Sequence, residues 1–325
     1  MLENGNNGPE TAISARELTR YYGDLLAVDH VSFDVNPGEL FGFLGPNGAG
    51  KTTTISIFMN LIRPSGGTAS VFGMDSVADS LSIRSTVGIV PEVSNVFPEI
   101  TARFNLTFTG ALYGMGRKDC ASRAAELLEL FGLEEHRDKK AGQLSMGLKR
   151  RLAIAMSMMH RPGVLFLDEP TSGLDVSSAR SIRETVKDLN SRGVTFFLTT
   201  HNMEEAGQMC DRIAVIDRGR LIAVDTPERL RQASSESRVV ELTIDDKPCQ
   251  ELKAALAAVD AVSRVETAGG SYRLITSNPG DTLHSLFHFL ESRNISARAV
   301  NTPGPTLEDV FVKLTSGGQS FGSSS

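Results

Sequence analysis

Residues 45–53 (GPNGAGKTT) constrain the fold of this chain more than any other segment. They match the pattern G-x-x-x-x-G-K-[ST] at every fixed position. The preceding stretch ELFGFL is typical of a buried strand, and residues 51–62 have the length and apolar content of a helix. In such a unit, glycines let successive backbone N–H groups converge on phosphate oxygens, and the helix N-terminus adds a partial positive charge. The segment therefore predicts a binding loop for a triphosphate.

The positions of this loop have distinct expected partners. Lys51 is expected to reach the β and γ phosphates, Thr52 to place its hydroxyl on Mg²⁺, and Thr53 to donate toward the α phosphate. The other residues expected to line the nucleotide phosphates are Gly45, Pro46, Asn47, Gly48, Ala49 and Gly50. A glycine-rich turn can match this pattern by accident, but the flanking strand and helix argue against that interpretation.

Composition narrows the class of protein. With 325 residues, 40% of them hydrophobic, the chain is large enough for two domains with buried cores. No apolar run approaches the ~18 residues of a membrane-spanning helix, and the start of the chain is too polar for a signal peptide. Cys120, Cys210 and Cys249 form no C-x-x-C pair, which favours a reducing cytoplasm over a disulfide framework or a zinc site. A net charge of −6 argues against a nucleic-acid partner.

Polar side chains follow several predicted strands at the point where each strand ends. Asp168 and Glu169 come after the apolar run VLFL, His201 follows VTFFLTT, and Glu92 ends STVGIVPE. Two adjacent carboxylates at a strand end are costly unless a cation is near. Asp168 is the expected Mg²⁺ contact, and Glu169 is placed to orient or deprotonate an attacking water. Because open α/β sheets bind ligands at the carboxyl ends of their strands, these groups predict one site.

The segment QLSMGLKRR (residues 143–151) is predicted to begin a helix. Ser145 is suited to cap it, and Gly147 to allow close approach of a backbone. Taken alone, the pattern is that of a capped helix, and Lys149, Arg150 and Arg151 are expected to form a solvated basic face.

Two other regions have simpler expectations. Residues 11–35 alternate apolar and polar side chains, as a pair of strands with one buried face does. Within them, Tyr22 has the shape to stack on an adenine ring, but the residues alone favour core packing for both Tyr21 and Tyr22. From residue 93 to about 142 the pattern becomes helical, which predicts a helical insert.

These motifs, in this order, resemble the nucleotide-binding subunit of an ATP-binding cassette (ABC) transporter over about residues 11–230. The resemblance rests on the phosphate loop, LSMGL where the family typically has LSGGQ, the strand ending in DEP, the loop SGLD, and His201 in LTTHNMEEA. It implies an α/β fold, a P-loop NTPase cassette at residues 11–232 with a β-rich subdomain and a helical subdomain at 93–142. That helical subdomain is expected to touch a membrane subunit.

The resemblance also assigns roles to single residues. It places adenine stacking at Tyr22, γ-phosphate binding at His201 and communication across a dimer at Asp175. The residues expected to contact ATP held by the other subunit are Ser145, Met146 and Gly147. Glu92 stands where the family usually has glutamine, in metal contact, and Met146 and Leu148 replace a glycine and a glutamine of the signature. Both departures are similar to those in the branch that exports drugs, polysaccharides and sodium, such as daunorubicin-resistance ATPases.

Composition changes again after residue 230. QASSESR is typical of a linker, and the elements predicted beyond it follow the order βαββαβ, that of a small ferredoxin-like α+β domain over residues 238–316. This domain is expected to regulate the dimer rather than to perform chemistry, because its residues offer no clustered catalytic groups. The alternative is a domain that serves only for dimerisation. Its last helix carries TLEDVF, which resembles the SLEDVF segment that ends drug-exporter ATPases. Residues 1–10 and 317–325 are polar and expected to be disordered.

The function expected from the whole chain is that of an exporter ATPase at the cytoplasmic face of the membrane. It would pair with its own copy or a homologous ATPase subunit around two Mg-ATP, and drive a separate transmembrane permease. One alternative is a soluble cassette ATPase acting on ribosomes or DNA, but the second cassette, coiled coil or zinc cysteines usual there are not visible. Another, a metabolic kinase with a phosphate loop, leaves LSMGL and the DEP strand unexplained.

Overall fold

The computed structural model describes residues 11–233, 238–245, 249–304 and 306–316. The expectations of disorder at residues 1–10 and 317–325 therefore lie outside the described residues, as does most of the expected linker. The described chain forms two compact units, and it passes from the first to the second between Pro227 and Glu228.

The first unit contains ten strands and seven α-helices among its described residues. The strands are β1 Ile13–Tyr22, β2 Leu25–Val35, β3 Leu40–Leu44, β4 Gly66–Val71, β5 Met74–Asp75, β6 Val87–Val90, β7 Val164–Asp168, β8 Thr195–Thr200, β9 Arg212–Asp217 and β10 Arg220–Asp225. The helices are α1 Lys51–Phe58, α2 Ser80–Thr86, α3 Ala102–Leu112, α4 Arg117–Leu130, α5 Met146–Ser157, α6 Val176–Ser191 and α7 Met203–Met209. Helix α8 Pro227–Ala233 begins where the units divide.

A six-stranded sheet in the order β10-β9-β3-β8-β7-β6 forms the centre of this unit. All its neighbouring strands are parallel except β9 and β10. Every residue of β3, β7 and β8 is buried, as expected for parallel strands covered on both faces. Leu44 pairs with Thr200, and Asp168 with Thr199, so the phosphate loop, the DEP strand and His201 all follow strands that end at one edge.

A cluster of phenylalanines packs this sheet against the antiparallel sheet β2-β1-β4-β5. Phe33 on β2 stacks on Phe41 of β3 with 5.5 Å between ring centroids. Phe197 on β8 lies 5.3–6.1 Å from the rings of five partners, which are Phe33, Phe41, Phe43, Phe58 and Phe166. Such aromatic packing fixes the strands that carry the edge groups.

Two predicted helices begin or end at other residues than expected. Helix α1 ends at Phe58 rather than at residue 62, since Asn60 adopts a left-handed backbone conformation with φ of +48°. In the predicted insert, α3 begins only after Thr101, whose hydroxyl accepts from Phe104 N and caps it. The segment before it is held by Asn105, which is buried and hydrogen-bonds both the N–H and the carbonyl of Phe97.

The second unit follows the expected strand–helix–strand–strand–helix–strand order. Its elements are β11 Arg238–Ile244, α9 Gln250–Leu256, β12 Val262–Ala268, β13 Ser271–Thr276, α10 Pro279–Ser292, β14 Ala297–Asn301 and α11 Leu307–Ser316. The sheet order is β12-β13-β11-β14, with all neighbours antiparallel. Strand β11 alternates in burial, and its inward side chains join Tyr272, Leu286 and Leu290 in a core separate from that of the first unit.

Two further findings bear on the sequence expectations. Within the described ranges, no helix is both long and apolar enough to cross a bilayer. All three cysteines are free: Cys120 and Cys210 are buried, and Cys249 is exposed.

Candidate functional site

The phosphate loop has a backbone that side chains would disturb. Gly48 and Gly50 adopt positive φ values of +81° and +104°, in the left-handed region that favours glycine. A Cβ at Gly50 would lie 2.5 Å from the carbonyl oxygen of Ala27, and one at Gly45 would lie 2.3 Å from that of Ile216. The loop can therefore wrap closely only because these positions lack side chains. Pro46, Asn47 and Ala49 complete it, and Thr53 follows in the first turn of α1.

Lys51 is buried at the start of α1 and faces the end of β7. Its Nζ donates to the carbonyl of Gly45 at 2.6 Å and to that of Pro46 at 3.2 Å. It also forms an ion pair with Glu169, 3.2 Å from Oε1. The two groups attract each other as charges but do not form a hydrogen bond, and Glu169 Oε1 has no hydrogen-bond partner. The ammonium group thus bridges the loop and the acidic strand end.

Thr52 and Asp168 bring two oxygen ligands together. Thr52 Oγ1 donates to Asp168 Oδ2 at 2.9 Å, and Thr199 Oγ1 donates to Asp168 Oδ1 at 2.5 Å. A hydroxyl and a carboxylate side by side are the donors that Mg²⁺ takes from proteins, which otherwise leave it to phosphates and water. The described residues contain no group of three or more His, Cys, Asp or Glu placed to hold a metal. The hydroxyl and the carboxylate are suited to hold Mg²⁺ together with phosphate oxygens and water.

Glu169 is buried between two basic groups. Its Oε2 lies 2.9 Å from His201 Nδ1, while its Oε1 faces Lys51. Its backbone is left-handed, with φ of +47°, and its N–H donates to the carbonyl of Thr199 at 3.1 Å. The His201 side chain is 52% exposed, so the imidazole links a buried carboxylate to the open surface of the edge. The structure thus brings Lys51, Thr52, Asp168, Glu169 and His201 together.

Glu92 and Tyr22 are exposed residues that lie near the ends of β6 and β1. Glu92 follows β6 and is exposed, and its carbonyl accepts from Arg150 at 3.4 Å. Tyr22 is 44% exposed, with the Arg20 guanidinium 4.7 Å from the centre of its ring. Tyr21 is 46% exposed, so the expectation of core packing from the residues alone was wrong for both tyrosines. An exposed ring at the end of β1 is open to a stacking partner.

The signature residues lie at the start of α5. Ser145 caps the helix, its hydroxyl accepting from Leu148 N, and Met146 is 63% exposed. A Cβ at Gly147 would lie 2.3 Å from Ser178 Oγ, so the close neighbour is a side chain of α6 rather than a backbone. Asp175 caps α6 through Ser178 N at 2.9 Å. Its hydrogen bonds with Ser177 and Ser178 lower the pKa of this exposed carboxyl.

Sequence reasoning missed two buried charged residues beside the site. Arg150 is buried, and its guanidinium donates to the carbonyls at the end of β7, so the expected solvated basic face was wrong at this position. Arg150 follows Gly147, also buried, by one helical turn, so the two residues lie on the same buried face of α5. That spacing could have predicted its burial, but the run of three basic residues favoured a solvated face. Glu205 on α7 accepts from Thr171 Oγ1 at 2.6 Å and Thr200 Oγ1 at 3.2 Å. Burial raises the pKa of Glu205.

Comparison with known proteins agrees with this geometry. A family model described as ABC transporter matches residues 28–172. The Nod factor export ATP-binding protein I of Burkholderia orbicola is 37% identical, covering 93% of this chain and 96% of that protein. The linearmycin resistance ATP-binding protein of Bacillus subtilis is 36% identical, covering 93% of this chain and 98% of that protein.

Solved structures show the same fold over the first unit's share of the chain. The ATP-binding subunit of an ABC transporter superposes with a TM-score of 0.63 at 27% identity, over 69% of this chain and 93% of that one. A dimeric ATP-binding cassette bound to ADP and Pi, in a post-hydrolysis state, gives 0.60 at 26% identity, over 66% and 98%. The loop, the acidic strand end and these relatives together show that the chain belongs to the ABC transporter family, as an ATP-binding subunit with ATPase activity.

Proposed function

We propose that this chain binds Mg-ATP at the edge of its parallel sheet and hydrolyses it to drive an export permease. The observation that carries the proposal is the cluster at that edge, in which a phosphate loop, two oxygen ligands, a buried carboxylate and a histidine meet. Both relatives named above are described by export or by drug resistance, which favours export over import. Neither is a ribosome- or DNA-acting ATPase, so that alternative is not favoured.

Each residue of the cluster has a defined part in the proposed reaction. The loop N–H groups and Lys51 bind phosphate oxygens, and Tyr22 stacks on adenine. Thr52 and Asp168 would hold Mg²⁺, with Glu92 facing it from β6; the metal would supply positive charge to the transferred phosphoryl oxygens. His201 contacts the γ phosphate, and Glu169 accepts the proton of the attacking water.

The ion pair of Lys51 and Glu169 gives this scheme an order of events. At 3.2 Å the ammonium balances the carboxylate in the structure described. Phosphate oxygens of ATP compete for the same ammonium, because they are the stronger anionic partner of a phosphate-loop lysine. Once Lys51 turns to them, Glu169 loses its cationic neighbour and keeps only His201. Nucleotide binding thereby frees the carboxylate to take a proton from water.

The proposed active form is a dimer, either of two copies or with a homologous ATPase subunit. Ser145 and Met146 are exposed, so the signature is open to a partner, and Asp175 lies on the exposed start of α6. A structural relative is itself dimeric with ADP and Pi. In the dimer, ATP on one copy's Lys51 would meet the partner's signature residues, with Asp175 near the interface.

The permease is proposed to bind the segment of residues 93–142. Four of the exposed apolar side chains there are between 37% and 69% exposed; they are Phe97, Phe104, Phe108 and Leu112. Three of them recur every four residues along α3 and so share one face, with Phe97 packed edge-on against Phe108 at 5.4 Å. Exposed aromatic surface of this kind marks a protein interface. The site of action is then the cytoplasmic face of the membrane.

We infer that residues 11–232 form the ATPase domain and residues 238–316 a ferredoxin-like regulatory domain. The strand order β12-β13-β11-β14 and the split βαβ connectivity support this assignment.

Replacing Glu169 tests the catalytic scheme. Because an amide cannot accept the proton, Glu169→Gln is expected to lower hydrolysis by about 100-fold or more. ATP affinity should change little, since Lys51 and Asp168 remain. Steady-state phosphate release and an ATP-binding titration measure the two effects, and sedimentation should detect an ATP-dependent dimer. Glu204→Gln, an exposed carboxylate on α7, is the matched control. Hydrolysis by Glu169→Gln within a few-fold of wild type would remove Glu169 as the base.

A further inference from the structure

Arg150 is the most fully hydrogen-bonded side chain next to the catalytic strand end, and the scheme above gives it no part. It lies on α5, one helical turn after Gly147, and is only 6% exposed. All three guanidinium nitrogens donate to backbone carbonyls rather than to carboxylates. The acceptors are Asp168, Glu169 and Pro170 at 2.8, 2.5 and 2.8 Å, and Pro91 and Glu92 at 2.5 and 3.4 Å.

These contacts join three separate pieces of the chain. The guanidinium belongs to the helix that begins with the signature residues, and it touches the end of β7 and the end of the β6 segment. A planar group with five N–H donors in a fixed arrangement suits this task, whereas an ammonium has only three. Burial lowers the pKa of Arg150, while the negative charges of Asp168, Glu92, Glu169 and Glu205 act in the opposite sense. The guanidinium therefore donates its hydrogen bonds to backbone carbonyls and is also stabilised by the negative charge of nearby carboxylates.

The peptide groups that Arg150 holds are those on both sides of Glu169. Its Nη2 binds the carbonyl oxygens of Asp168 and Glu169 together. On the other side, the N–H of Glu169 is fixed by Thr199. The left-handed backbone of Glu169, with φ of +47°, is unfavourable for a residue with a side chain and persists only when its surroundings hold it. The guanidinium supplies part of that restraint.

We propose that Arg150 is a positioning residue for ATP hydrolysis, because it orients the Glu169 carboxylate by holding the backbone of Glu169. The same side chain couples that orientation to helix α5 and to the Pro91–Glu92 segment. The inference rests on the proposed function, because it requires Glu169 to be the base. A shift of α5 would then be transmitted to the carboxylate through one side chain. The effect belongs to the chemical step and not to nucleotide binding.

Neighbouring arginines provide matched controls. Arg151 donates to the carbonyl of Phe131 at 3.4 Å, at the end of α4 and away from β7. Arg123 is as buried as Arg150, at 8% exposed, and donates to the carbonyl of Met158 at 3.0 Å. Replacing either by lysine disturbs the packing of α5 without touching the peptides around Glu169.

The test compares Arg150→Lys with Arg123→Lys and Arg151→Lys in the full chain. Because misplacing a catalytic group by about 1 Å can cost on the order of 100-fold, Arg150→Lys is expected to lower kcat at least about tenfold. Its KM and its ATP affinity by titration should stay within about twofold, since the binding residues are untouched. The two controls should keep kcat near wild type. Thermal unfolding of each variant gives the folded fraction, to which kcat is normalised.

A double variant separates this inference from the scheme on which it rests. If Arg150 acts through Glu169, adding Arg150→Lys to Glu169→Gln should lower the residual hydrolysis no further. Loss of activity in Glu169→Gln, but a normal kcat in folded Arg150→Lys, would overturn the role of Arg150 alone. An equal fall in kcat for Arg123→Lys would also overturn it, by showing a general packing effect. Normal activity in Glu169→Gln would instead overturn the catalytic scheme.

Discussion

The six-stranded sheet of the first unit and the four-stranded sheet of the second unit place polar side chains differently. In the parallel sheet, β7 and β8 are buried along their whole length; apart from Thr195, which begins β8, their charged and hydroxyl residues lie at the carboxyl ends, as Asp168 and Thr200 do. In the antiparallel sheet of the second unit, β11 alternates in burial and charges spread over its outer face. There Glu241 lies opposite Arg273, in register across β11 and β13.

This difference follows from how each sheet is covered. When both faces of a sheet are buried, polar side chains are confined to the ends of its strands. Groups at the ends of neighbouring strands then lie close enough to interact with one another. The outer face of the second unit's sheet carries half-buried side chains such as Glu241 and Arg273, and ion pairs that solvent reaches contribute little. Arg264 and Glu266 are an example, 3.0 Å apart with the arginine side chain 71% exposed. We therefore expect chemistry in the first unit and regulation or association in the second.

Matched glycine substitutions should show the largest contrast between the two regions. Gly50 and Gly270 both have positive φ values, +104° and +89°, but a Cβ at Gly50 meets the Ala27 carbonyl whereas one at Gly270 has nothing within 4 Å. Each alanine costs about 1–2 kcal/mol of backbone strain. Gly50→Ala must also deform the phosphate loop, so ATP affinity should fall more than about tenfold, equivalent to 1.4 kcal/mol. Gly270→Ala should leave affinity unchanged in the same titration. Equal losses would contradict the assignment of ATP binding to the first unit.

What the sequence predicts well here is local. The strand, phosphate loop and start of α1 follow from contiguous residues, and so does the cap at Ser145. Arg150 could not be assigned in the same way, because its acceptors lie 18 to 20 residues ahead in the chain and about 60 behind. Helical periodicity indicates that Arg150 faces inward, but it does not predict that backbone carbonyls accept hydrogen bonds from it.

Exposure was the other weak point of prediction. Tyr21 and Tyr22 have the pattern of strand residues with one buried face, yet both rings are open. Irregular register between β1 and β2 at Arg20 and Tyr21 breaks the alternation on which that expectation depended. Solvent-facing positions of this kind need the pairing of a distant strand to be known.

Glu92 should give a smaller effect than Gly50, because it is the exposed carboxylate of the same edge. Glu92→Gln keeps an acceptor oxygen and is expected to hydrolyse ATP within about twofold of wild type. Glu92→Ala removes the acceptor, so stimulation of hydrolysis by the permease should fall more than ATP affinity does. Hydrolysis measured with and without the co-purified permease in vesicles gives the stimulation. If stimulation is unchanged in Glu92→Ala, the edge does not extend to β6.

His160 lies outside the proposed nucleotide site, and we expect its ionisation to affect the stability of the fold but not ATP hydrolysis. Burial lowers the pKa of His160, which stacks on Tyr113 at 3.7 Å and contacts the carbonyl of Val87 through Nε2. A histidine pKa lowered by folding means that its neutral form is favoured in the native state. Its contribution to stability is full above pH 6.5, the ordinary value, and is lost as pH falls toward the folded pKa. Urea midpoints at pH 7 and pH 5 should therefore differ less in His160→Gln than in wild type.

That experiment must separate groups whose pKa is raised by folding from groups whose pKa is lowered. Glu205 has a raised pKa, so its contribution is lost with rising pH, the reverse of His160. Comparing the two proteins at each pH cancels the Glu205 contribution. An identical pH dependence in wild type and His160→Gln would show that His160 does not carry the effect.

Removing the second unit is expected to change ATP binding least of all. Every residue proposed to contact nucleotide lies at or before His201, so a fragment of residues 1–235 should bind Mg-ATP within about twofold of the full chain. Association with a second copy or with the permease should weaken. Sedimentation and an ATP titration on the fragment check both outcomes. A folded fragment with lost ATP affinity would show that the second unit takes part in the site.

The distribution of cysteines allows the second unit to be labelled without mutation. Cys120 and Cys210 are buried, and Cys249, at the start of α9, is exposed. Because burial also raises the pKa of the Cys210 thiol, thiolate-directed reagents should discriminate strongly against that position. A maleimide spin label added to the native chain would then sit at one place in each copy. Pulsed electron-spin distances between two labels would report how far apart the C-terminal units stand in a nucleotide-bound pair.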